Sequence, residues 1–197
     1  MTPAHPAPSR PASRLPGDLF IWYVILLEGA TFAVLFVAFA FTRLRHRALF
    51  TASQQQLDLS AGALNTALLL TASWCVARAV LAVRRGTRGA GLAWLAAGMA
   101  GGAGFVALKL KEYADKALEG IGLSTNLFFD FYFILTGFHL LHVLAGLLAL
   151  GLVGIGLLRQ PRGVLQGHAL ETAAVFWHLV DLLWLVLFPL VYVMGRA

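Results

Sequence analysis

Charge is scarce in this chain: only 12% of its 197 residues are Asp, Glu, Lys or Arg, about half the share found in soluble domains. So few charged groups cannot clothe a water-facing surface, and a soluble globule is excluded. Cysteine is almost missing. Cys75 stands alone inside an apolar run, which rules out an internal disulfide or a paired-thiol motif. Proline is scarce beyond residue 17, since five of the seven lie in residues 1–17. With Arg10 and Arg14 they mark that stretch as a solvated, disordered tail. It is not a signal peptide, because the apolar run that follows is too long. There is no internal repeat, phosphate-binding glycine loop, nucleophile elbow or zinc-protease motif. Apolar and polar residues do not alternate, which argues against an outer-membrane barrel.

What is abundant is apolar sequence: 59% of residues are hydrophobic, and the mean hydropathy is +0.79. A membrane span needs about 20 apolar residues, so the length accommodates about five. The expected fold is all-α: a polytopic membrane protein with one five-helix transmembrane domain over residues 18–197. Its helices fall near 18–43, 60–83, 90–113, 124–158 and 167–195. The net charge of +6 sits in short clusters at helix ends, where positive loops of membrane proteins belong. No nucleic acid partner is expected.

Local signals punctuate these runs. Asp18 is placed to cap the first helix, Asp58 or Ser60 the second, and Ser124-Thr125-Asn126 the fourth. The stretch around Gln54-Gln55-Gln56 reads as a polar loop. Asn65, Thr66, Thr71 and Ser73 read as groups that hydrogen-bond between helices, and Arg78 as a snorkelling side chain. In the third helix Gly98 and Gly102, with Gly101 and Gly104 beside them, predict close approach to a neighbour. The charged end of that helix, from Lys109 to Lys116, reads as a wet amphipathic surface. The fourth helix, roughly 50 Å long, must tilt or project. The tight turn through Pro161 makes the last two helices antiparallel neighbours. Seven lysines and arginines fall on each side, so charge counting leaves the orientation open. Arg78 tips it weakly to an inside N-terminus.

The last helix carries ionisable groups at membrane depth, where each costs about 2.5–3.5 kcal/mol on insertion scales. Glu171 and His178 lie on nearly one face, Asp181 is rotated by about 80°, and Trp177 and Trp184 form a parallel stripe. Glu28 sits mid-span, as a hydrogen-bonded acid, a proton relay or a ligand. His139 and His142 share a face of the fourth helix, and Asp130 lies near its start. Three explanations fit Glu28, Asp130, His139, His142, Glu171, His178 and Asp181: a polar network that locks the bundle and docks it on a larger enzyme, a stand-alone di-metal site, or a stand-alone haem b protein with facing histidines such as His139 and His178. The Glu-x-x-His spacing usual for di-metal bundles is absent.

Three motifs then converge: Glu171 to Phe188 with Trp177, His178, Asp181 and Trp184; Gly137-Phe138-His139-Leu-Leu-His142-Val143; and Leu27-Glu28-Gly29-Ala30-Thr31-Phe32. Together they resemble subunit III of the haem-copper oxidases over residues 18–195, especially the short five-helix form that includes NorE-type nitric-oxide-reductase accessory proteins. The first two helices of the seven-helix family form have no counterpart here. The resemblance implies a non-catalytic subunit without its own haem or copper, beside a catalytic subunit I that carries both. The host would be a cytochrome c oxidase, a quinol oxidase or a nitric oxide reductase. It further implies roles in assembly, stability and proton uptake, a bacterial-type inner membrane with the N-terminus cytoplasmic, contact with lipid, and no activity of the chain alone. Glu28, His139, His142, Glu171, His178 and Asp181 would then form a structural, proton-buffering polar core.

Overall fold

Helix is the only regular structure among the described residues of the computed structural model, which are 19–159 and 164–195. The expected tail over 1–17, the Asp18 cap and the turn through Pro161 lie outside them. Six α-helices follow in order: α1 Leu19–Arg45, α2 Arg47–Gln54, α3 Leu59–Arg84, α4 Arg88–Leu118, α5 Leu127–Arg159 and α6 Val164–Phe188, with a π-helical turn over Pro189–Val193. Five of the helices are long and apolar enough to cross a membrane.

The short α2 replaces the polar loop read from the sequence. Its one apolar edge is anchored by Phe50, which packs on Phe39 and Phe128, while Ser53 and Gln54 are buried beside it. Three inward residues at helical spacing suffice to fold the segment against α1 and α5. Asp58 then caps α3, its carboxylate accepting from the Ser60 and Ala61 amides at 2.8 and 3.2 Å.

α3 and α4 form the most extensive pair, and α6 packs against α1, α3 and α5. The α3–α4 turn closes in a Schellman motif: Gly86 is left-handed (φ 77°), and the amides of Gly86 and Thr87 donate to Val83 and Ala82. A β-carbon there would meet no neighbour, but a side chain at that left-handed φ strains its own backbone, which is why glycine ends the helix. Close packing follows from the glycines ahead. A β-carbon on Gly98 would lie 3.1 Å from the Ala72 carbonyl oxygen on α3. Gly102 faces differently, onto Trp177 of α6 and Leu147 of α5. The two glycines therefore serve two different neighbours.

α4 runs five residues past its expected end at 113. α5 begins after Asn126, whose Oδ1 accepts from the Phe128 and Phe129 amides at 3.0 Å each. Nor is the last helix α-helical to 195, because Pro189 has no amide to donate and its ring crowds the preceding turn. The chain widens there, and the Met194 amide bonds to Pro189 O. Gln54 of α2 donates to the Leu190 and Val191 carbonyls at 2.9 and 3.0 Å. Arg43 of α1 donates to Met194 O. These bonds tie the end of the last span to the α1–α2 corner.

Candidate functional site

The ionisable groups separate into small clusters held by different helix pairs. Glu28 of α1 meets His142 of α5, with Oε2 3.0 Å from Nε2. The other ring nitrogen of His142, Nδ1, lies 2.8 Å from Phe138 O. A carbonyl only accepts, so Nδ1 carries a hydrogen. Nε2 can then meet Glu28 in two ways: it accepts from a carboxylic acid, or as imidazolium it donates to a carboxylate. In both the pair holds one proton between its members. Phe32 and Phe138 pack on the imidazole, at 5.4 and 4.7 Å between centroids. Glu28→Gln is expected to remove from the infrared difference spectrum either one deuterium-sensitive protonated-carboxyl band or, for the ionic form, the carboxylate bands together with the imidazolium signature of His142; a spectrum that keeps all of them would sink the one-proton pair.

Glu171 and His178 do not face the α5 histidines, as their shared helix face suggested. Both turn to α3. Glu171 pairs with Arg84 at 2.7 Å near the end of that helix, and His178 Nδ1 lies 2.6 Å from Ser73 Oγ. The side of α6 that meets the α5 histidines carries aromatics instead: Trp184 packs on His139 at 5.0 Å and Phe176 on His142 at 6.4 Å. His139 is fully buried between Trp184 and Phe105. His139 and His178 are thus engaged by different neighbours, the first by Trp184 and Phe105 and the second by Ser73 of α3.

Two further expectations are corrected. Asp130 is not part of an interior network: it lies in the first turn of α5 and accepts from the Ser124 amide at 2.7 Å. That amide belongs to a left-handed residue (φ 72°) in the turn before α5. Mutual hydrogen bonding is also incomplete. Among the described residues, His139 and Asp181 are buried without partners on either polar atom, as is the Asn65 amide. Thr66 and Ser73 do bridge helices, Thr66 by accepting from Trp184 Nε1 at 2.9 Å. Thr71 bonds only within its own helix.

The largest departure concerns the end of α4, read as a wet surface. Lys109 has no exposed area, and Glu112 and Lys116 are each only 7% exposed. Lys109 Nζ donates to Glu112 Oε2 at 3.2 Å, Tyr192 OH at 2.5 Å and Tyr132 OH at 3.2 Å. Both tyrosine hydroxyls donate to Glu112 Oε1 at 2.6 Å. All three ammonium hydrogens are used and both carboxylate oxygens accept, so the group is closed. Tyr113 and Thr136 extend it, 2.7 Å apart. Lys116 donates to Gln56 O and pairs with Glu119. Glu112 also lines an open cleft of about 460 Å³ with Asp58, Lys111, Asp115 and Glu119. A signal was present: Gly98, Gly102, Phe105, Lys109, Glu112 and Lys116 recur at alternating four- and three-residue steps, one continuous buried stripe of α4.

Trp177 is the other centre of the bundle. β-carbons on Gly102 and Gly146 would lie 2.6 and 2.9 Å from its ring. The indole fills a slot between α4 and α5 that only glycines leave open.

Comparisons with known proteins return one family model and several relatives over most of the chain. The family model described as "Cytochrome c oxidase subunit III" matches residues 20–196. A cytochrome bo(3) ubiquinol oxidase subunit 3 of Pseudomonas aeruginosa is 29% identical over 88% of this chain and 83% of its own length. A cytochrome c oxidase subunit 3 of Synechocystis is 34% identical, covering 90% and 76%. A heme-copper oxidase subunit I+III of Aeropyrum pernix is 29% identical over 87% of this chain and 22% of that longer protein.

Proposed function

Because the chain belongs to the cytochrome c oxidase subunit III family, we propose that it is the non-catalytic third subunit of a respiratory haem-copper oxidase, seated beside subunit I in a bacterial-type plasma membrane. The observation that carries this reading is the span of the family match, residues 20–196, which takes in all five membrane-crossing helices. The relative named as a subunit I+III supports subunit I as the partner. Relatives named for cytochrome c oxidase and for ubiquinol oxidase support an oxidase host of one of those two kinds. The nitric oxide reductase host is the alternative.

The chain works without haem or copper of its own. Support comes from how its donors are used: His142 is committed to Glu28 and to Phe138 O, and His178 to Ser73. Among the described residues, no three His, Cys, Asp or Glu side chains converge as a metal site. The Glu28–His142 pair, holding one proton, is the group suited to proton buffering beside the catalytic subunit. The N-terminus is cytoplasmic. Lys109 is interior and does not act as a loop charge, which leaves seven basic residues on the N-terminal side against six on the other.

The test is affinity purification of the tagged chain in mild detergent, with mass spectrometry of what accompanies it. A haem-copper subunit I is expected, and its identity names the electron donor. Recovery of a nitric oxide reductase subunit would assign the alternative host. Recovery of the chain alone, carrying its own haem or metal, would overturn the reading. His178→Leu is expected to lower the yield of the complex with the haem spectrum of subunit I unchanged; an altered spectrum would point to direct ligation.

A further inference from the structure

Four arginines crowd the α3–α4 end of the bundle, and they are not equivalent. Arg84 is paired with Glu171. Arg88 donates to Leu158 O at 2.7 Å, closing the end of α5. Arg78 and Arg85 have no carboxylate partner among the described residues. They are seven residues apart, two turns on one helix face. Both line a partly open cavity of about 150 Å³, with Leu81, Ala82, Thr87, Ala90 and Trp94 as its other walls.

Arg78 is held ready. Its guanidinium lies 5.6 Å from the Trp74 ring centre and 5.3 Å from that of Trp94. The two indoles meet edge to face at 5.1 Å. Stacking on aromatic faces fixes the plane of the guanidinium and leaves its hydrogens for an outside acceptor.

The surroundings identify the acceptor. Arg78 lies about 9 Å short of the end of α3, at the depth where arginines snorkel and tryptophans gather at a membrane interface. Trp74, Leu70 and Leu81 are exposed on the same helix and form one apolar surface beside the cavity. An occupant must therefore offer a compact anion to two guanidiniums and an apolar body to this surface. Phosphate suits paired guanidiniums best, through parallel charge-assisted hydrogen bonds. We propose that the Arg78–Arg85 cavity binds the phosphate of an anionic phospholipid headgroup, with the acyl chains lying along α3 past Leu81 and Trp74. A soluble phosphate would share the headgroup chemistry but leave the apolar surface unused.

The test uses the full-length chain purified in mild detergent, with the subunits that accompany it. Native mass spectrometry counts the lipid retained after adding phosphatidylglycerol, phosphatidylcholine or inorganic phosphate. The wild type is expected to keep phosphatidylglycerol at collision energies that strip phosphatidylcholine. Arg78→Gln/Arg85→Gln should weaken that retention about tenfold. Ala90→Leu, which fills the cavity and keeps both charges, should do the same and guards against a misfolded double variant. Equal retention of both lipids, or full retention by Ala90→Leu, would overturn the site. Displacement of phosphatidylglycerol by millimolar inorganic phosphate would overturn the lipid as its source.

Discussion

Glu112→Ala is expected to destabilise the bundle by about 3–5 kcal/mol, the cost of leaving one member of a buried ion pair without its partner. Lys109 has no exposed area, so its ammonium loses its paired carboxylate while remaining inside the bundle. Tyr132 and Tyr192 would lose the acceptor of their hydroxyls in the same step. The loss should be visible as a lower midpoint of unfolding in mild detergent. Lys109→Met/Glu112→Leu should recover most of it, because replacing both members by apolar groups removes the uncompensated charge. A double-mutant cycle reads the coupling directly. If Glu112→Ala melts with the wild type, Lys109 has another counter-charge and the closed network is not what holds it.

Trp177→Ala is expected to cost about as much, roughly 3–5 kcal/mol, through the cavity a fully buried indole leaves behind. The slot also allows the opposite test. Gly146→Ala places a methyl group against the ring at 2.9 Å, and overpacking of this kind costs about 1–3 kcal/mol. Alanine at 146 should cost much less once Trp177 has been removed. Strict additivity of the two changes would mean that the glycine and the indole are not matched.

Both centres bear on the proposed role. On the proposed reading the chain holds no redox group and contributes through its shape and its protons. Trp177 locks α4 and α5 onto α6, and the Lys109 network ties α4 and α5 to the end of the last span. The Glu28–His142 pair spans α1 and α5. It lies apart from the Lys109 network, so the two can be altered separately.

Residue type and spacing foretold part of the site. Glu28, His139, His142 and His178 were found because an ionisable group in an apolar run is conspicuous. Lys109, Glu112 and Lys116 escaped because charges near a helix end are usually solvated. The glycine stripe that leads to them at alternating steps is visible only when followed past Phe105. Which groups pair was beyond reach of either signal. Glu171 and His178 share a helix face, but helix rotation and the bulk of Phe176 and Trp184 turn them to α3.

By itself, then, the sequence determined that this protein is a five-span membrane bundle, where most of its spans begin and end, and that Gly98, Gly101 and Gly102 permit close approach, while Gly146 went unnoticed. Those properties follow from the local energetics of hydrocarbon length, capping and side-chain size, which act within one helix. Only the tertiary structure decided that Glu28 meets His142, that Lys109 is interior, and that Pro189 opens a turn whose carbonyls take Gln54. Each of those depends on the rotation and depth of one helix against another, set by the packing of the whole bundle.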